Sequence, residues 1–141
     1  MKIKEKLKLY QLSLIVSMAF ALVGFSYNIW RLEETERNNN IRTACFEMLK
    51  ELAELEQLIY LSHYDKDMIN GNPRKGWIKV GLLNDFSYLT NEAIKLEAST
   101  LSMTWSENWQ SIQTEPQSVT LLVQNIDEVR GEIKILLSDL D

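Results

Sequence analysis

The only histidine, His63, is followed by carboxylates at Asp65 and Asp67, and this is where residue types and spacing come closest to a metal cluster. The pattern fails as a calcium loop. Asp65 and Asp67 fit the first and third ligand positions, but Ile69 occupies the next one and Asn70 stands where the turn requires glycine. Zinc coordination usually draws on several His or Cys ligands, and no second histidine exists. Ser62 precedes His63, yet a nucleophile and its base must face each other in space, and adjacency in the chain does not provide that. Glu47, Glu51 and Glu54 repeat at helical spacing and read as a solvated helix face. The expectation is therefore a non-catalytic protein, with no catalytic, cofactor-binding or metal-ligating residues and no cofactor. Cys45 is the sole cysteine, so no disulfide can form within one chain. It reads as a small buried apolar residue, the alternative being a reactive thiol or an interchain disulfide.

Two groups of residues suit recognition better than chemistry. Pro73-Arg74-Lys75-Gly76-Trp77 sets two cations beside an aromatic ring, with Lys79 close by. Arg and Trp are enriched at binding hot spots, so Arg74, Lys75 and Trp77 are candidate partner contacts. The plainer reading is a helix-helix turn whose Trp77 closes the open end of a core. Trp105 and Trp109 lie four residues apart and share a helix face. They are either an aromatic docking surface or part of the core, near enough to a membrane for an interfacial contact.

The elements that must hold these residues begin with an anchor. From Leu9 to Trp30 there are 22 residues without a charge. As a helix they extend about 33 Å, close to the ~30 Å hydrocarbon thickness of a bilayer. Tyr10 at one border and Tyr27 and Trp30 at the other suit the membrane interface. Lys2, Lys4, Lys6 and Lys8 precede the block against Glu5 alone, whereas Arg31 beyond it is followed by Glu33, Glu34 and Glu36. By the positive-inside rule, residues 1–8 form a cytoplasmic tail, 9–30 the transmembrane helix, and 31–141 an exported, periplasmic domain of a single-pass inner-membrane protein. Ala19-Phe20-Ala21 has the form of a signal-peptidase site, but the apolar run continues past it, as in an uncleaved anchor. A buried helix in a soluble protein would need more apolar surface than the rest of the chain offers.

Of the 15 basic and 20 acidic residues, 11 and 19 follow the block, a net charge of −8. Such a domain repels phosphate backbones, so nucleic acid is not an expected partner. Its apolar residues fall at helical spacing in three runs: Ile41, Cys45, Met48, Leu52, Leu55, Ile59; then Leu82, Phe86, Leu89, Ala93, Leu96; then Val119, Leu122, Ile126, Val129, Ile133, Leu136, Leu140. Phe46, Leu49, Leu58 and Leu61 widen the first, and Leu101, Trp105, Trp109 and Ile112 extend the second. Breaks fall at Asn70–Gly76 and before Pro116, where Thr114 and Gln117 have the spacing of a capping box. The spacing predicts helices near 31–66, 79–112 and 116–139. The fold class is all-α: an N-terminal transmembrane helix, then an antiparallel up-down-up three-helix bundle with the Asn70–Gly76 turn at its far tip. Arg37-Asn38-Asn39-Asn40 is either a flexible neck or a polar stretch of continuous helix.

Glu36-Arg37-Asn38-Asn39-Asn40-Ile41-Arg42 and Asn72-Pro73-Arg74-Lys75-Gly76-Trp77 resemble stretches of uncharacterised single-pass inner-membrane proteins of Gram-negative bacteria. The resemblance covers the exported half and implies a periplasmic bundle without a known activity. The design is also similar to the exported domain of helical-bundle chemoreceptors, but a second span and a cytoplasmic signalling region are missing. Nor is there the glycine-phenylalanine leader of pilins. The expected function is a membrane-anchored periplasmic interaction or scaffold subunit of an envelope complex. Its partners would be the lipid bilayer and another envelope protein, or a second copy pairing through the same heptads. The alternative is a small-ligand or envelope-stress sensing module that signals through a membrane partner.

Overall fold

The computed structural model describes residues 3–140, which form four helices and no strand: α1 (Ile3–His63), α2 (Pro73–Ser87), α3 (Glu92–Asn108) and α4 (Pro116–Asp139). Lys2 of the expected basic tail and the terminal Asp141 lie outside the described residues. The chain divides into two compact units, Met1–Asn38 and Asn39–Asp141.

The first unit is the leading part of α1. Proline is absent and Gly24 is its only glycine, so nothing in the sequence breaks the ladder. Its apolar side chains have no cover: no residue of the most apolar window is buried. Among the described residues α1 is the one helix long and apolar enough to cross a membrane. Every backbone amide within such a stretch is satisfied internally, which a hydrocarbon environment demands. Tyr27 and Trp30 lie with ring centroids 6.1 Å apart. Asn38, Asn39 and Asn40 are helical, within α1.

The second unit packs Asn39–His63 of α1 with α2, α3 and α4. The first apolar run holds: Cys45, Met48, Leu52, Leu55 and Ile59 are fully buried, with Ile41 packed at the edge of the core. Burial pushes the Cys45 thiol up, away from the reactive thiolate. The third run holds too, with Val119, Leu122, Ile126, Val129 and Ile133 buried on α4. Each fully buried Leu or Ile contributes roughly 1.5–3 kcal/mol relative to leaving it in water.

The middle of the chain departs from expectation. The single helix expected over 79–112 is two helices, so the unit contains four antiparallel helical segments where three were expected. Two N-caps explain the difference. Asn72 Oδ1 accepts from the Arg74 amide at 3.0 Å with Pro73 as the first helical residue, so Asn72-Pro73 starts a helix six residues before the expected position. Asn91 Oδ1 accepts from the Ile94 amide at 3.0 Å and starts α3, after Leu89 and Thr90 amides close the end of α2 on Phe86 and Ser87 carbonyls. No glycine or proline marks that break. Once the chain reverses there, the stripe Leu82–Phe86–Leu89–Ala93–Leu96 no longer forms one face, and Leu89 and Leu96 are 57% and 65% exposed. The buried faces are instead Gly76, Val80, Leu83 and Ser87 on α2, and Ile94, Ala98, Leu101 and Trp105 on α3. The expected capping box at α4 is also replaced. Glu115 is the N-cap without a side-chain bond, and the Thr114 hydroxyl donates back to the Ser111 carbonyl at 3.3 Å.

Between α1 and α2, Lys66 takes a left-handed backbone conformation (φ 53°), and the Asp67 amide reaches back to the Leu61 carbonyl at 3.0 Å. Gly71 then passes so close to α1 that a Cβ would come within 2.4 Å of the Ser62 amide nitrogen. Gly76 is tighter still. A Cβ there would stand 2.0 Å from Cζ2 of the buried Trp105 ring. In the intact protein, Gly76→Ala is expected to lower stability by roughly 1–3 kcal/mol, since a crowded core must shift to admit a methyl group. Trp105→Phe, which shortens the ring, should remove much of that penalty in the double variant. Chemical denaturation of the four proteins in detergent measures the coupling, and strictly additive losses would disprove the contact.

Candidate interaction surface

The first turn of α2 carries the cations singled out in the sequence. Arg74 and Lys75 are exposed, and Arg74 meets no carboxylate among the described residues. The Lys75 ammonium donates to the Ile69 carbonyl at 2.5 Å, which ties it to the preceding loop. Trp77 is 40% exposed and meets the half-buried Trp109 edge-on, with centroids 6.2 Å apart. Trp105 does not belong to this surface. It is 0% exposed and packs under Gly76, so it is a core residue, and its indole N–H meets no acceptor among the described residues. The surface that remains is Arg74, Lys75 and Trp77, with Trp109 as its inner wall. Tyr10, Tyr27 and Trp30 stand exposed on the first unit, at 71%, 58% and 58%.

Lys79, which the sequence placed beside this patch, is engaged elsewhere. Its ammonium lies 3.1 Å from Glu51 Oε2 and also contacts Glu54 Oε2, bridging α2 to α1. Glu51 and Glu54 thus do more than solvate a helix face. Hydrogen bonding and charge attraction from Lys79 hold the Glu54 carboxyl below the usual carboxylate range. Partial burial opposes the charge on Lys79, but its bonds to Glu54 and Glu51 outweigh that and raise its pKa. An open groove of about 530 Å³ runs beside this bridge, lined by Glu54, Gln57, Leu58, Leu61, Asn70, Lys75 and Lys79.

His63, Asp65 and Asp67 do not converge. The imidazole Nδ1–H donates to the Ile112 carbonyl at 2.6 Å, and the Lys66 ammonium donates to the neighbouring Gln113 carbonyl. Both residues pin the loop before α4. The Asp67 carboxylate accepts from the amides of Ile69 and Asn70 at 2.8 and 2.9 Å and from the Asn70 side chain at 2.8 Å, an Asx-type turn. Those bonds hold its pKa low. Among the described residues no three His, Cys, Asp or Glu side chains form a possible metal-ligand group.

One network escaped the sequence reading. Arg130 on α4 donates to Glu56 Oε2 at 2.8 Å and to Asp127 Oδ1 at 2.5 Å, and the Tyr60 hydroxyl donates to Glu56 Oε1 at 3.0 Å. The i, i+3 spacing of Asp127 and Arg130 was visible, but the partner on α1, 74 positions away, was not. No protein-family model, curated protein or solved structure matches the chain.

The Arg130 hydrogen bond lowers the Glu56 pKa from 4.5, against the opposing effect of burial and with help from Tyr60. A carboxyl depressed in the folded state stabilises fully above its unfolded value, and that stabilisation disappears as pH falls through the folded value. Glu56→Gln should therefore cost about 1 kcal/mol at neutral pH, the upper end for a partly solvated ion pair. The deficit should shrink as pH falls from neutrality to well below the unperturbed 4.5. Thermal denaturation of both proteins across that range measures it, and a deficit independent of pH would contradict the assignment.

Proposed function

We propose that this chain is a membrane-anchored, non-catalytic interaction subunit of a cell-envelope complex. The observation that carries this reading is the apolar stretch of α1, which is long enough for a bilayer and entirely uncovered by the chain itself. Apolar surface of that extent left in water would cost far more than a small unit can offset, so lipid is its natural surrounding. Lysines at Lys4, Lys6 and Lys8 on one side, and the acidic run Glu33, Glu34 and Glu36 on the other, favour a cytoplasmic N-terminus and an exported second unit.

The interaction role is supported by the makeup of the α2 start. Two exposed cations flank a partly exposed tryptophan that a second tryptophan holds in place. A pre-positioned aromatic beside charge loses little side-chain entropy on binding, which is what a hot spot requires. The bonds from His63, Lys66 and Asp67 brace the loops at this end and keep the patch from needing to reorganise.

The full-length chain, extracted in mild detergent after crosslinking in living cells, should carry a stoichiometric envelope partner. Trp77→Ala and Arg74→Ala should each reduce that yield about tenfold, in keeping with hot-spot losses, with no loss of helical content. A phosphatase fused after the last residue should be active outside the cytoplasm. A cytosolic reporter, or undiminished crosslinking in both variants, would overturn the reading.

A further inference from the structure

Tyr60, in the last turn of α1, and Tyr64, just past its end, lie with ring centroids 5.9 Å apart. They form one wall of an open groove of about 390 Å³ against α4, completed by Val119, Val123, Asp127 and Glu128. Val119 and Val123 supply aliphatic surface at its floor. No cation is among the residues that line it. A second shallow depression on the other side of Tyr60 is bordered by Glu56 and Asp65.

The charges around the ring pair are accounted for unevenly. Arg130 is the cation that meets this group, and it serves Glu56 and one oxygen of Asp127. Glu128 and Asp65 meet no cation among the described residues. Tyr64 is 68% exposed and Tyr60 38%, so both rings stay accessible, with the His63 ring meeting Tyr64 at right angles, centroids 4.7 Å apart.

This combination selects one chemistry. A negative aromatic face attracts a cation, and Arg or Lys is the usual donor. Flanking carboxylates add charge attraction, and the valine floor suits a methylene stem, which basic side chains lay along apolar surface. A bare metal ion or a small hydrophilic amine would gain nothing from the valines, and an acidic or purely apolar segment would be repelled or left unpaired. We infer that the Tyr60–Tyr64 groove between α1 and α4 docks a basic side chain, Lys or Arg, from an extended segment of a partner protein. The inference rests on the interaction role proposed above but concerns a separate surface from the Arg74–Trp77 patch, of opposite charge.

The test uses full-length protein in an uncharged detergent and a fluorescein-labelled Lys-Ala-Ala repeat peptide, followed by fluorescence anisotropy. Saturable binding that weakens with salt is expected. Tyr64→Ala and Glu128→Gln, both exposed and outside the core, should each weaken it by roughly 3- to 10-fold. Tyr64→Phe should retain it, since the ring face is kept. Glu92→Gln, an equal charge change at an 88% exposed side chain on α3, should leave it unaltered. The same peptide with acetylated lysines should not bind. Absent binding, an equal loss in Glu92→Gln, full binding of the acetylated peptide, or displacement by spermidine at the same concentration of charge would each overturn the groove. Continued crosslinking to a partner through the Arg74–Trp77 patch would show that the interaction role survives such a failure.

Discussion

Within the second unit the ring of Trp105 fills the place where Gly76 has no side chain. That contact sets how near α2 comes to α3, because nothing larger than hydrogen fits between backbone and ring. From it follow the placement of Val80 and Leu83 in the core and the edge contact of Trp77 with Trp109. Close-packed interiors transmit such a constraint, since no void is available to absorb a shift. The exposed patch at the start of α2 is thus positioned by a buried contact one residue away in the chain.

Electrostatics completes what packing begins. The unit is acidic, and two of its cations are placed between helices: Lys79 joins α2 to Glu51 and Glu54, and Arg130 joins α4 to Glu56. Each pair is only partly solvated, which makes it more effective than an ordinary surface pair without incurring the full cost of burial. Arg42 adds a neutral acceptor, donating to the Leu140 carbonyl at 2.6 Å near the end of α4. With these cations engaged internally, a small basic-aromatic patch lies around Arg74 and Lys75 and an acidic-aromatic groove around Tyr60 and Tyr64.

The features of chemistry-bearing type turn out to be structural fasteners. His63 and Lys66 hold carbonyls of the loop before α4, and Asp67 shapes the turn before α2. Cys45 sits in the core with its thiol pKa raised by burial. The aromatic side chains Trp77 and Tyr64 stay open to solvent, on a chain whose N-terminal helix is long and apolar enough to cross a membrane.

Periodicity alone determined a great deal here. The charge-free stretch from Leu9 to Trp30, the buried stripe of α1 from Cys45 to Ile59, and the whole of α4 were legible because one helix keeps one register, so apolar residues three and four apart must share a face. Where the chain changes direction without glycine or proline, that logic fails. Asn91 ends one register and begins another, and a repeat running evenly from Leu82 to Leu96 crossed that point without any sign that most of it would face water. The patch was legible as composition, but the burial of Trp105 and the engagement of Lys79 were not, because both depend on which helix lies opposite. Partners such as Glu56 and Arg130, far apart in sequence, meet only after the helices are stacked; a one-dimensional pattern holds the charges but not the distances between them.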